Sequence, residues 1–301
     1  MAYLPGVPSI WPGGLENIYK FNGLVLNDRK SQIDNYKITK IDGLFDADIR
    51  DSRDVNPSRH GETAFESFYG GKTITIEGVI RAGNIDKMRN MIFDLQKAFA
   101  DLREHSLEIY EHSGLQTNTP VAYINCKKMS PLMITESQDT RRPERVFSIT
   151  LRASNPFVYS VNSDIYTIYT NSSSVSITGR SYDRKYMRDY NSIYGNLSYL
   201  DITSGGNMPQ NPVIDIFGPI DSGVITNYTN GSFVVLGAIS NATLDFDNRV
   251  FQDVSGDDIS RLIMNSSNEF ILDVGVNRIG FGAKFSTGDP YIEVKSKAVY
   301  V

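Results

Sequence analysis

The fold class of this chain is indicated by the stretch GKTITIEGVI, residues 71–80. Its isoleucines alternate with Thr73, Thr75 and Glu77, so that apolar and polar side chains point to opposite sides of an extended backbone. A period of two residues is typical of a strand with one buried face. The stretch therefore predicts a half-buried β-strand.

An amphipathic helix is predicted directly after this strand. Asn84 is a residue type that accepts a backbone N–H at the start of a helix. The apolar residues that follow it recur at helical spacing and share one face, with charged residues on the other: Ile85, Met88, Met91, Ile92, Leu95, Phe99 and Leu102. We predict a helix over residues 84–103 that packs this face onto the sheet.

Strand patterns on both sides of the helix predict a β-rich N-terminal domain over residues 1–156. The predicted strands cover residues 19–26, 36–41, 72–80, 106–110, 121–127 and 145–152. Residues 1–17 contain three prolines, a glycine pair and Trp11, which favours an extended arm over a helix or strand. Asn155 and Pro156 predict the turn that ends the domain, because proline has no N–H for a strand ladder.

A long polar segment, residues 43–71, separates two of the predicted strands. It exceeds the ~12–15 residues of ordinary loops, and segments of this length are usually functional or disordered. It can be interpreted as a mobile surface loop, or as a long hairpin or belt that lies on a neighbouring subunit. Charges of both signs and embedded aromatic residues fit the second interpretation. Its candidate intersubunit contacts are Arg50, Arg53, Phe65, Phe68 and Tyr69.

The C-terminal half, residues 157–301, predicts a β-sandwich. After Pro212 the strand patterns are short and are separated by turn signals such as Asn230-Gly231. The predicted strands cover residues 164–170, 213–217, 223–228, 232–236, 242–247, 249–253, 275–281 and 291–301.

A tyrosine-rich insertion is predicted at residues 171–205. Tyr182, Tyr186 and Tyr190 recur at intervals of four, with arginines and a lysine between them. One interpretation is a helical face that contacts a partner, and these tyrosines are the candidate partner contacts. Another is stacking on single-stranded nucleic acid, and a third is short strands or a loop packed on the C-terminal domain.

Composition disfavours several classes of protein. The chain has 301 residues, with 30 basic and 35 acidic side chains and a net charge of −5. This balance lacks the broad positive field of nucleic-acid-binding proteins, so no nucleic-acid binding is expected. The start of the chain lacks a signal-peptide pattern, and no apolar run approaches the ~18 residues of a membrane span. We expect a soluble protein made in the cytosol, without membrane insertion.

Catalytic and metal-binding motifs were sought without success. The three histidines and the single cysteine, Cys126, do not form a zinc-ligand spacing. Cys126 lies in an apolar alternating run and is predicted to be a buried small hydrophobe. Asp46, Asp48 and Asp51 only faintly resemble a calcium loop, since Arg50 stands at a ligand position and a closing glutamate is missing. We therefore expect no catalytic site, no metal and no cofactor.

Several segments, taken in order, resemble the distal tail proteins of long-tailed phages, a phage tail or minor tail protein family. In the N-terminal half they are residues 41–53, 60–61 and 69–78, followed by the predicted helix. In the C-terminal half they are residues 206–218, 227–236, 244–247 and 272–279. The predicted insertion at 171–205 is longer and richer in tyrosine than this pattern.

The resemblance implies a mainly β chain with two domains. The N-terminal domain would be α+β and tail-tube-like, and would form a hexameric ring. The C-terminal domain would be a galectin-like sandwich. The protein would be a structural part of the virion tail tip, assembled in the host cytoplasm and not an enzyme. Its partners would be its own copies, the tail tube protein, a tail-associated hub protein, and receptor-binding or side-fibre proteins.

An alternative function is a carbohydrate-binding adhesion module that acts through the C-terminal sandwich. Sugar-binding surfaces favour exposed aromatic side chains, and this half of the chain has no tryptophan. Its candidate aromatics are Tyr228, Phe233, Phe251 and Tyr291. A hydrolase acting on cell wall is a third hypothesis, for which the sequence offers no motif.

Overall fold

The computed structural model describes residues 17–28, 33–44, 46–51, 53–55, 60, 62–64, 66–111, 120–136, 144–170, 197–267, 269–285 and 288–301. The predicted arm therefore lies outside the described residues except for Asn17, as do Phe65 and the first 26 residues of the predicted insertion. The described residues form two compact units. The N-terminal unit contains residues 17–161 and 300–301, and the C-terminal unit contains residues 162–299.

The fold is mainly β, as the alternating patterns predict. The described strands of the first half of the chain are β1 (Ile18–Phe21), β2 (Leu24–Leu26), β3 (Asn35–Asp42), β4 (Ile49–Arg50), β5 (Arg53–Val55), β6 (Glu62–Ala64), β7 (Phe68–Tyr69), β8 (Lys72–Arg81), β9 (His105–Tyr110), β10 (Ala122–Lys128), β11 (Met133–Glu136), β12 (Glu144–Ala153) and β13 (Val158–Tyr169). The described α-helix, α1, spans Ile85–Ala98. The chain passes from one unit to the other within β13.

Strand β8 is the centre of the N-terminal sheet and confirms the prediction from residues 71–80. It pairs antiparallel with β12 along its whole length and with β3 on its other side. Ile74, Ile76, Gly78 and Ile80 are buried, and Thr75, Glu77 and Val79 between them are half-buried. The sheet continues from β12 through β10, β9 and β1 to β2. Its buried side chains form the core on which α1 packs.

The helix is shorter than predicted. Asn84 caps it as expected, since its side chain accepts the N–H of Lys87 at 2.8 Å. The helix ends at Ala98, and Phe99 turns into the core, where its ring stacks on Phe21 at 4.9 Å. The prediction that Ile85 and Leu102 belong to the buried face is wrong, because Ile85 is exposed in the first turn of α1 and Leu102 is exposed after the helix has ended.

The C-terminal unit contains two packed sheets. Its described strands, besides the end of β13, are β14 (Leu197–Ser204), β15 (Val213–Ile220), β16 (Ser222–Asn227), β17 (Phe233–Leu236), β18 (Ile239–Asp245), β19 (Val250–Asp253), β20 (Ile263–Ser266), β21 (Gly275–Lys284) and β22 (Tyr291–Tyr300). One sheet has the order β19-β18-β15-β22 and the other β14-β21-β16-β17-β20. Buried residues of both sheets, including Ile216, Val294, Val234 and Phe281, share one apolar cluster. This is the predicted sandwich.

Two strands of the sandwich were not predicted from sequence. Strand β14 lies in the last part of the predicted insertion, so residues 197–204 belong to the sandwich and not to an appended segment. Strand β20 follows a 3-10 turn at Ser260–Leu262 and pairs with β17. None of the described helices is long and apolar enough to cross a membrane.

Candidate contact surfaces

Within the predicted loop at 43–71, the described residues form two antiparallel strand pairs, which we call the hairpin. In the β4–β7 pair, Ile49 stands opposite Tyr69 and Arg50 opposite Phe68. Farther along, β5 pairs with β6, with Arg53 opposite Ala64. The structure therefore supports the hairpin interpretation of this segment over the mobile loop.

The hairpin brings together three of the five candidate intersubunit residues. Arg50, Phe68 and Tyr69 lie on its paired strands β4 and β7 and are exposed. Arg53 belongs to β5, where its backbone is described and its side chain is not. Phe65 lies outside the described residues, as do Tyr182, Tyr186 and Tyr190. The predicted partner contacts Tyr182, Tyr186 and Tyr190 therefore stay a prediction.

Each face of the β4–β7 pair carries one exposed apolar side chain, because Ile49 stands opposite Tyr69 and Phe68 opposite Arg50. Ile49 is 68% exposed and Phe68 is 64% exposed. The ring of Tyr69 is instead held edge-on against Phe157 at 6.2 Å. Ile49 was not among the intersubunit contacts predicted from sequence, because a single apolar residue in a charged run gives no periodic signal.

The base of the hairpin is held by a buried lysine. Lys72, fully buried at the start of β8, donates from Nζ to the carbonyl oxygen of Leu44 at 2.9 Å. Burial disfavours the charged ammonium and lowers the pKa of Lys72 to about 8, although nearby Asp46 acts in the opposite direction. The hydrogen bond therefore ties the outgoing strand of the hairpin to the returning one.

A second tie joins the hairpin to the middle of the sheet. Arg152 on β12 donates to a carboxylate oxygen of Asp48 at 3.3 Å and to the hydroxyl of Thr73 at 2.6 Å. On the same segment, the N–H of Gly70 donates to the carbonyl oxygen of Asp48 at 2.5 Å. The hairpin is thus fixed to two neighbouring strands, β8 and β12.

The C-terminal sandwich carries a second candidate surface, on the outer face of the sheet that begins with β14. Residues directly opposite in antiparallel strands share a face. Tyr199 on β14, Gly280 on β21, Thr226 on β16 and Phe233 on β17 are opposite one another in turn. They form one row across four strands.

Tyr228 and an ion pair extend this row. Tyr228 lies edge-on to Tyr199, with ring centroids 6.4 Å apart. Arg278 lies 6.0 Å from the centroid of the Tyr199 ring. It also donates from Nε and Nη2 to the two carboxylate oxygens of Asp201, at 2.8 and 3.1 Å. We call this surface, made of Tyr199, Asp201, Thr226, Tyr228, Phe233, Arg278 and Gly280, the tyrosine face.

The tyrosine face contains two of the four aromatics named for the carbohydrate alternative, Tyr228 and Phe233. The other two lie on the opposite sheet: Phe251 packs against Phe246 and the core, and Tyr291 stacks on Phe217. Tyr199, Asp201 and Arg278 were missed from sequence. Arg278 is far from the other two in the chain, and only the β14–β21 register brings it beside them.

Two further candidate chemical groups, Cys126 and His105, stand directly opposite each other on β10 and β9. Cys126 is buried in β10, as predicted, and burial raises the pKa of its thiol to about 12. His105 lies 3.1 Å from a carboxylate oxygen of Asp101. Within the described part of the chain, no group of three or more His, Cys, Asp and Glu side chains is placed to hold a metal ion.

No protein-family model matches the chain, and no curated protein sequence matches it either. Solved structures do match, and they are phage tail hub and baseplate proteins. The SPP1 Dit protein, gp 19.1, is a hub of the adsorption apparatus in phages that infect Gram-positive bacteria. It is 10% identical to this chain with a TM-score of 0.65, covering 93% of this chain and 98% of its own.

Two structures of the phage P2 baseplate in its activated conformation also match. The structure with Ca is 12% identical, with a TM-score of 0.46, over 94% of this chain and 98% of the matched chain. The structure with Sr is 12% identical, with a TM-score of 0.44, over 90% and 98%. The chain therefore shares its fold with the SPP1 Dit protein over nearly its whole described length.

Proposed function

We propose that this protein is a structural component of the tail tip of a long-tailed phage. Six copies form a hub ring that joins the tail tube to the tail-tip or baseplate proteins. The ring also anchors receptor-binding or side-fibre proteins. The role is non-enzymatic, and the protein acts through its protein contacts.

The observation that carries this proposal is the fold shared with the SPP1 Dit protein at a TM-score of 0.65. The likeness extends over 93% of this chain and 98% of that one, so it includes both units and not a single common motif. A β-sandwich alone would carry little weight, because one architecture serves many functions. A two-unit chain matched over nearly its full length is a stronger basis for the same role.

The hairpin at 43–71 supplies a suitable contact between copies. Ile49 and Phe68 are large apolar side chains held in water on a segment tied to the sheet by Lys72 and Arg152. They lie on opposite faces of the β4–β7 pair, so a neighbouring copy that packs on one face fully buries one of them, which is worth roughly 1.5–3 kcal/mol. Because the hairpin is already ordered by its ties, little conformational entropy is lost when a neighbouring copy covers it.

The first experiment is a measurement of solution mass by light scattering, with negative-stain images of the same sample. A ring of six chains of 33.7 kDa has a mass of about 200 kDa. We expect that mass and six-fold particles with a central hole. A single-chain mass at every concentration up to the solubility limit would contradict a self-assembling ring.

A matched pair of variants tests the hairpin itself. Phe68→Ser removes an apolar side chain from the proposed contact, and Phe93→Ser removes one of the same type and the same 64% exposure from the outer side of α1. We expect Phe68→Ser to shift the ring toward single chains while Phe93→Ser leaves the mass unchanged. Equal effects of the two variants would remove the hairpin from the interface.

A further inference from the structure

The tyrosine face combines exposed aromatic rings with fixed polar groups. Tyr199 is 61% exposed on the edge strand β14, and Tyr228 is 48% exposed at the first position of the turn that follows β16. The two rings are nearly perpendicular, at 86°. A flat ligand that lies on one ring therefore meets the other ring along its side.

Gly280 explains why the two rings meet. A Cβ atom at this position would lie 2.6 Å from Cε2 of Tyr228, closer than carbon atoms can approach. The missing side chain lets the Tyr228 ring fold across β21 toward Tyr199, which stands directly opposite Gly280 on β14. The aromatic pair is thus held by the backbone of the sheet.

The polar part of the face carries no net charge. Asp201 binds Arg278 through both oxygens, and this contact holds the pKa of Asp201 below its usual range. Each guanidinium has five N–H donors, and carboxylate oxygens accept more than one hydrogen bond, so both groups retain free capacity. Arg278 is already neutralised by Asp201, which favours an uncharged ligand with many hydroxyl groups over a phosphate or another anion.

We infer that the tyrosine face is a binding site for a neutral saccharide. A pyranose ring has one apolar C–H side and a rim of hydroxyl groups. Its apolar side stacks on Tyr228, with Tyr199 along its edge, while neighbouring hydroxyls bind Arg278 and Asp201. Thr226 adds a hydroxyl in the same row, and Phe233 bounds the face at β17. This site does not depend on ring assembly, since all its residues belong to one unit of one chain.

Saturation-transfer NMR on the full-length protein tests this inference. The probes are the methyl glycosides of glucose, galactose, N-acetylglucosamine and rhamnose, each at millimolar concentration. Signal is transferred from the protein to the ring protons of a sugar only when the sugar binds. We expect transfer to the C–H protons of at least one probe, and no transfer to any of the four would overturn the inference.

Three variants localise the site. Tyr228→Ala should weaken binding roughly five- to tenfold, because it removes the stacking ring, whereas Tyr228→Phe should retain binding. Tyr169→Ala is the matched control, since Tyr169 has the same 61% exposure as Tyr199 and lies beside Tyr291 on the other sheet. Equal binding by wild type and Tyr228→Ala would overturn the assignment to this face. So would a loss of binding in Tyr169→Ala alone.

Discussion

The Nζ atom of Lys72 donates a 2.9 Å hydrogen bond to the carbonyl oxygen of Leu44 across the base of the 43–71 hairpin. The ammonium is fully buried, and its pKa is lowered from 10.5 to about 8 because burial disfavours the charge. The protein thus maintains a charged group under the hairpin at neutral pH at a cost in stability.

This burial gives a pH dependence with a definite sign. Below pH 8 both the native and the unfolded chain hold the Lys72 proton, and the native state bears the full cost of the buried charge. Between about pH 8 and 10.5 the native state releases the proton while the unfolded chain retains it, so stability rises with pH. We expect wild type to gain roughly 2–3 kcal/mol over this window relative to Lys72→Met, measured by urea unfolding.

Lys37→Met, on the neighbouring strand β3, controls for the loss of one positive charge, because Lys37 is exposed. If the unfolding free energies of wild type and Lys72→Met change equally between pH 8 and pH 10.5, the explanation by a buried charge is contradicted.

Gly43 fixes the point where the hairpin leaves the sheet. Its φ is +75°, and a Cβ atom there would overlap the carbonyl oxygen of Thr73. Gly43→Ala should therefore cost roughly 2–4 kcal/mol of unfolding free energy, from the strained backbone and the steric clash together. Gly23→Ala is the matched control, since φ is +84° there and the space around it is open. It should cost only about 1–2 kcal/mol, and equal losses in the two variants would contradict the proposed clash.

Gln210 joins three parts of the C-terminal unit through its buried amide. It donates to the hydroxyls of Ser204 and Ser296, and its oxygen accepts the backbone N–H of Lys297. Gln210→Leu leaves these groups buried without partners and should cost roughly 2–4 kcal/mol in chemical unfolding. Gln252→Leu changes an exposed glutamine and should stay within about 0.5 kcal/mol of wild type. A loss below 1 kcal/mol for Gln210→Leu would show that the network is dispensable.

Cys126 is a built-in reporter of unfolding. It is the only cysteine of the sequence, it is buried, and burial raises its pKa to about 12. Because the thiolate is the reactive form, we expect labelling by iodoacetamide at pH 8 to be at least about a hundredfold slower in the native protein than in urea. Mass spectrometry measures the rate, and rapid labelling without denaturant would show that β10 opens readily.

Local sequence patterns predicted the parts of the fold that depend on neighbouring residues. Strand β8, the cap at Asn84 and the turn at Gly231, with φ of +78°, follow from the residue types at those positions. The length of the helix does not follow from these residue types, because α1 ends at Ala98 although Leu102 continues the apolar pattern, and Ile85 is exposed in its first turn. Tertiary contact, and not periodicity, decides which apolar residues are buried.

The candidate surfaces could be predicted only in part, because they depend on strand pairing between residues far apart in the chain. The hairpin was predicted as one of two possibilities, since mixed charge and embedded aromatics indicate contact and not register. The tyrosine face could not be predicted, because Asp201 and Arg278 are 77 positions apart. Tyr199 moreover lies in a stretch whose tyrosines suggested a separate segment. A binding surface on a sheet is a property of its strand order, which local patterns do not encode.

The ties at the base of the hairpin have a mechanical consequence. Because only Gly70 and Gly71 separate β7 from β8, a load applied at Phe68 reaches the central ladder of the N-terminal sheet through two residues and the hydrogen bond of Lys72. Asp48 and Arg152 carry part of that load sideways to β12, which pairs with β8 along its whole length. A displacement of β7 is therefore transmitted to the core through the hydrogen bonds of Lys72 and Arg152.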